Sequence, residues 1–108
     1  MKNGIKYSIL ITTKDRVEDL LFTLSKLDVL LKRDDTECII CNDGSSDDTA
    51  QKITSLFPYI KLITNSKSKG LIYSRNVLLN MANGDYAISL DDDANFLTDN
   101  VFEYIDEF

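Results

Sequence analysis

The chain has 108 residues, 44% of them hydrophobic, with one proline and four glycines, which suits a single domain with a substantial core. A formal net charge of −6 argues against broad nucleic-acid binding through a basic surface. The chain has no histidine, which excludes histidine-based metal sites and Ser-His triads.

Met1 to Gly4 precede a short apolar run that Lys14, Asp15 and Arg16 interrupt. This is too short for a signal h-region or a membrane span, so a cytoplasmic protein is predicted. Tyr7 to Thr12 is nearly all apolar and reads as a first, central strand buried on both faces. Asp15 to Glu18 fits a capping box, with Asp15 as N-cap. Val17, Leu20, Leu21, Leu24, Leu27 and Leu31 follow at helical spacing, which predicts a helix over 16–31 with Glu18, Asp19 and Lys26 toward water. Thr36 to Cys41 is the second strand. It runs into the loop Asn42 to Thr49, where Ser46 or Asp47 can cap a second helix carrying Ala50, Ile53, Leu56 and Phe57. Pro58 stops that helix. Ile60 to Ile63 is a short third strand, followed by a polar, basic loop from Thr64 to Gly70. A third helix covers 71–82 and ends at Asn83-Gly84. Tyr86 to Leu90 is the fourth strand. Thr98 or Asp99 can cap a last helix with the apolar stripe Val101, Ile105 and Phe108, which can hide that stripe in a homodimer.

Strands alternating with helices argue for an α/β domain, a parallel sheet with helices on both faces. Right-handed crossovers favour the strand order 3-2-1-4, a Rossmann-like arrangement. That order brings the ends of strands 1, 2 and 4 to one crevice, where ligands bind in open α/β sheets.

The fourth strand ends in Asp91, Asp92 and Asp93, and from Asp85 to Phe108 there is no Lys or Arg. Adjacent carboxylates repel one another and are relieved by a cation. If strand geometry persists, Asp91 and Asp93 share a side and Asp92 faces the other way. Oxygen ligands of this kind suit Mg²⁺ or Mn²⁺, which complete their shells with water and phosphates. A solvated acidic turn is the plainer alternative. No Walker loop and no G-x-G-x-x-G is present, so phosphates would be held indirectly, through the cation.

Asp43 follows the second strand directly. Its carboxylate can accept a hydrogen bond from a base imide or a ribose hydroxyl, or it can close an Asx-turn in its own loop. Arg75 lies in a largely apolar helix pattern, where it can meet a nucleotide oxygen or pair with an acidic loop. Lys67 and Lys69 read as solvated, and Tyr73 and Tyr86 as packing residues. Cys38 and Cys41 stand three apart on a strand, which puts the thiols on opposite faces and reads as two small buried residues rather than a redox pair.

Taken together, Ser8-Ile9-Leu10-Ile11-Thr12-Thr13-Lys14-Asp15-Arg16, Cys41-Asn42-Asp43-Gly44-Ser45-Ser46-Asp47-Asp48-Thr49, Lys69-Gly70-Leu71, Ser74-Arg75-Asn76, Gly84-Asp85-Tyr86 and Leu90-Asp91-Asp92-Asp93 resemble the N-terminal half of family 2 glycosyltransferases, which have the GT-A fold. The pieces stand in family order at family spacing over most of the chain. The resemblance implies binding of a nucleotide-diphospho-sugar, often a UDP-sugar, and inverting transfer to the hydroxyl of a saccharide or other acceptor. It places Thr12 and Asp43 at the base, Asp43 on the uracil imide, and Arg75 near the base and the acidic motif. It makes Asp91 to Asp93 the D-x-D region, with Asp93 on Mn²⁺ or Mg²⁺, helped by Asp91 or Asp92. Two departures stand out. The proline usual before the strand 1 turn is absent, and Lys14-Asp15 replaces the common Tyr-Asn. The family's general base lies beyond the D-x-D, so the resemblance implies that residues 1–108 are one domain truncated before the acceptor half, binding donor and transferring nothing alone. A non-catalytic nucleotide- or metal-binding regulatory module is the competing reading. A haloacid-dehalogenase-like hydrolase would want Thr or Val at Asn95, and a receiver domain would want paired acids at Thr12-Thr13.

Overall fold

The computed structural model describes residues 4–90 and residue 92. Seven elements follow one another: β1 (Tyr7–Thr13), α1 (Val17–Leu31), β2 (Thr36–Asp43), α2 (Thr49–Leu56), β3 (Lys61–Asn65), α3 (Leu71–Met81) and β4 (Tyr86–Leu90). All strand pairs are parallel and the order is β3-β2-β1-β4, as predicted. The chain winds outward through β3, then returns across the sheet to lay β4 on the far side of β1. This reversal opens a crevice at the carboxyl ends of β1, β2 and β4. The register puts Thr12 beside Cys41, Thr13 beside Asn42 and Ile11 beside Leu90.

The two faces of the sheet have separate cores. Tyr7, Ile9, Ile11, Cys38 and Ile40 meet Leu20, Leu24, Leu27 and Leu31 of α1 and Ile53 of α2. Leu10, Ile39 and Cys41 meet Leu78 of α3 on the other face. Central strands buried on both faces explain why β1 and β2 read as almost unbroken apolar runs. Each leucine of the α1 stripe adds roughly 1.5–3 kcal/mol by leaving water. Cys38 and Cys41 fall in opposite cores, both buried and both free thiols. Burial, with the charge of Glu37 beside it, pushes the Cys38 thiol up to about 12.

Several local expectations are corrected. Asp15 is not the N-cap of α1. Arg16 holds that position without a side-chain cap, and Asp15 sits in the left-handed region at φ 54°. The carboxylate of Asp15 instead accepts from the Ser46 amide (2.6 Å) and hydroxyl (3.1 Å) in the β2–α2 loop. The first free amide of α1, at Val17, donates to Asp47 of that same loop at 3.4 Å. A tertiary bond thus replaces the local capping box. Asp47 also accepts from the amide and hydroxyl of Thr49 at the start of α2. β1 and β2 run past Thr12 and Cys41, because Thr13, Asn42 and Asp43 still find partners along the sheet. β3 starts one residue later than expected, since the amide of Ile60 is held in a turn by the Phe57 carbonyl (3.0 Å).

In α3 the buried positions are Ser74 and Leu78, whereas Leu71, Arg75 and Leu79 are exposed. Leu56 and Tyr73 are exposed as well, so neither acts as the core residue expected, while Tyr86 stacks on Tyr7 with centroids 5.9 Å apart. After α3, Glu37 reaches across from β2 and accepts from the Asn83 amide (2.7 Å) and the Ser8 hydroxyl (2.6 Å). Ser8 Oγ accepts in turn from the Gly84 amide at 2.8 Å. The backbone at Gly84 crosses β1 so closely that a Cβ would stand 2.9 Å from the Lys6 carbonyl oxygen and 2.9 Å from the Ser8 nitrogen. The helix stop at Asn83-Gly84 is therefore also a packing contact that positions β4. The predicted last helix, its cap at Thr98 or Asp99 and its homodimer stripe lie outside the described residues. Among the described residues no helix is long and apolar enough to cross a membrane.

Candidate functional site

A cavity of about 500 Å³ opens at the carboxyl ends of β1, β2 and β4. Thr12, Thr13, Lys14 and Arg16 line it from β1 and the turn after it; Asp43 lines it from β2; Ser68, Gly70, Leu71 and Ser74 from the β3–α3 loop and α3; and Asp92 from the segment after β4. The crevice predicted from strand order is present, and Thr12, Asp43 and Asp92 share it. Arg75 does not line it; its side chain is exposed on α3, one residue beyond the buried Ser74. Asp91 and Asp93 lie outside the described residues.

Asp43 is the hub of one wall. One carboxylate oxygen accepts from the Lys69 amide (2.7 Å) and Asn65 Nδ2 (2.9 Å). The other accepts from Ser68 Oγ (2.9 Å) and the Gly70 amide (3.0 Å). Burial pushes the Asp43 pKa up, but the bonds from Lys69, Asn65, Ser68 and Gly70 outweigh it and bring the pKa down to about 2. Gly70 is the N-cap of α3, so the anion also lies at the positive end of the helix dipole. Asp43 therefore does not close an Asx-turn in its own loop; it ties down the loop that follows the neighbouring strand. Gly44 makes that contact possible. It has φ +72°, and a Cβ there would stand 2.6 Å from the Ser68 nitrogen.

The opposite wall is the β1–α1 turn. Asp15 and its bonds to Ser46 hold the turn against the β2–α2 loop, with Lys14 and Arg16 on either side of it in the cavity wall. Arg16 Nε lies 3.3 Å from one oxygen of the buried Asp92, and Thr13 Oγ1 donates to the other at 3.0 Å. Thr23 Oγ1 of α1 donates to the Asp92 backbone carbonyl at 2.8 Å. The segment after β4 is thereby fastened to β1 and α1. This gives Asp92 a structural engagement alongside its place in the cavity wall. Lys14 brings positive charge to this wall, which suits an anionic ligand group, while the charge of Arg16 is balanced by Asp92 and Asp19.

The model of Glycosyl transferase family 2 matches residues 8–108. The chain belongs to this family. Its fold is shared with solved glycosyltransferases. The mannosyltransferase PcManGT from Pyrobaculum calidifontis, solved with GDP-Man and Mn²⁺, superposes with a TM-score of 0.78 at 17% identity, covering 90% of this chain and 30% of that one. S. aureus TarS superposes at 0.73 with 24% identity, covering 95% of this chain and 20% of that one. TarS 1–349 in complex with UDP gives 0.74 at 24% identity, covering 95% and 32%. The family 2 chain thus spans less than a third of the length of these structures. No curated protein matches it by sequence.

Among the described residues of this family 2 chain, no three His, Cys, Asp or Glu side chains gather as metal ligands. The oxygens of Asp92 face Arg16 and Thr13. Sequence reasoning missed Lys14, Arg16 and Ser68 as parts of the cavity, and Asn65 as a partner of Asp43. Lys14 and Arg16 follow the end of a central strand, a position that does signal a ligand site. Asn65 and Ser68 carried no such signal, because their role depends on Asp43, distant in sequence and adjacent only across the β2–β3 pair.

Proposed function

We propose that the cavity is the donor site of a glycosyltransferase that takes a sugar from a nucleotide-diphospho-sugar, a UDP-sugar first among the candidates, and passes it to an acceptor hydroxyl with inversion. The observation that carries this reading is the meeting of Thr12, Asp43, Lys14 and Arg16 in one cavity at the strand switch point of a family 2 chain. Thr12 and the wall around Asp43 receive the nucleoside, and Lys14 offsets part of the diphosphate charge. Asp91 borders the nucleotide, whereas Arg75 is exposed on α3 and does not line the cavity. A bound Mn²⁺ or Mg²⁺, assigned to Asp93 with Asp91, supplies Lewis-acid neutralisation of the departing diphosphate. Inverting transfer also needs a base for the acceptor hydroxyl. Asp43 and Asp92, the described carboxylates of the cavity, are both engaged, so neither is set up for that task. We expect residues 1–108 to bind donor without turning it over alone, and sugar transfer by the purified chain would contradict this.

PcManGT is solved with a guanosine donor and TarS with UDP, so the base is a matter for measurement. Calorimetric titration with UDP, GDP and ADP, each with and without Mn²⁺, is the test. Binding of one nucleotide that depends on metal and is lost in Asp93→Ala supports the donor site and names its base. Absence of binding for every nucleotide refutes it.

A further inference from the structure

We infer that the Ser68 hydroxyl is a displaceable occupant of the nucleoside position, and so sets how tightly this chain holds its ligand. The inference rests on the donor-site reading and deepens it.

An ionised carboxylate has about four lone-pair sites. Asp43 already accepts from Asn65, Ser68, Lys69 and Gly70 at 2.7–3.0 Å. A ligand N–H or O–H that pairs with Asp43 must displace one of these donors. The amides of Lys69 and Gly70 cannot leave without shifting the backbone that starts α3, where Gly70 is the N-cap and its carbonyl accepts from the Ser74 amide at 3.1 Å. Asn65 Nδ2 is also shared with Cys41 Sγ (3.6 Å) and Ser74 Oγ (3.5 Å), which hold it in place. Ser68 differs on each count. It is a one-torsion side chain on an exposed residue, and it lines the cavity. Rotation about χ1 moves its hydroxyl off Asp43 and into water, with no change in the backbone. The backbone under it stays seated, because Gly44 packs directly against the Ser68 nitrogen. In the free protein the hydroxyl therefore stands where a ligand donor would stand, and every binding event must first break its bond to Asp43.

Removing the hydroxyl should relieve that competition. Calorimetric titration of the nucleotide that binds wild type, with Mn²⁺ present, is repeated on Ser68→Ala and Ser68→Thr. The net worth of one hydrogen bond corresponds to a roughly three- to tenfold change in affinity. Ser68→Ala is expected to bind tighter by about that factor, and Ser68→Thr, which keeps a hydroxyl, to stay near wild type. Weaker or unchanged binding by Ser68→Ala overturns the inference while leaving the donor site standing, and so does tighter binding by Ser68→Thr equal to that of Ser68→Ala. No nucleotide binding by wild type or either variant overturns the donor-site reading and this inference with it.

Discussion

Replacing Asp43 with Asn keeps the shape of the side chain and removes its charge. The amide can keep one oxygen for the Lys69 amide and Asn65, but its NH₂ then faces the Gly70 amide, donor against donor. Ser68 can turn to donate elsewhere or to accept. The variant thus loses one backbone hydrogen bond at the start of α3 and the charge assistance of the others. A carboxyl held at about 2 instead of 3.8 corresponds to roughly 2.5 kcal/mol, which solvent screening at an open cavity reduces to about 1–2 kcal/mol. For a domain of this size that is a fall in Tm of roughly 5–12 °C at neutral pH. The sign of the pH dependence follows from the depressed pKa. Asp43 stabilises the fold fully above its unfolded value of 3.8, and the contribution is lost as pH falls toward 2. Urea unfolding of wild type and Asp43→Asn across that range checks this. The stability gap should be widest near pH 7 and close progressively below about pH 4. A gap that stays constant with pH, or no gap at neutral pH, would refute the role given to the Asp43 carboxylate.

Two further outcomes are expected. Gly84→Ala places a methyl 2.8 Å from Ser8 Oγ and 2.9 Å from the Lys6 carbonyl oxygen and the Ser8 nitrogen, so β4 must shift; overpacking of this kind costs about 1–3 kcal/mol, read as a lower urea midpoint. Cys38 and Cys41 should resist a thiol reagent such as DTNB in the native protein and react together on unfolding, because both are buried in different cores. Prompt reaction of either thiol in the folded chain would contradict that packing.

The sheet was legible in the sequence because its causes are local or topological. Apolar runs of strand length, leucines at helical spacing, Pro58 and Asn83-Gly84 mark the elements, and right-handed crossovers leave one natural strand order. The crevice follows from that order, and with it the placing of Thr12, Asp43 and Asp92 together. Motif residues in family order were enough to point to the glycosyltransferase family.

What tertiary structure alone decided is which partner each polar side chain takes. Asp15 had the spacing of a capping box, yet its carboxylate goes to Ser46 of the β2–α2 loop, and Asp47 of that loop bonds the Val17 amide in its place. Arg75 had an apolar neighbourhood in sequence, yet α3 turns Ser74 and Leu78 inward and leaves it exposed. Asp92 had the look of an open carboxylate, yet it is held by Thr13 and Arg16. The physical reason is the same throughout. Hydrophobic burial is non-directional and follows patterns a few residues long. A hydrogen bond needs its partner within about 3 Å at the right angle, and here that partner comes from another strand or loop, at a distance set only when the sheet is assembled.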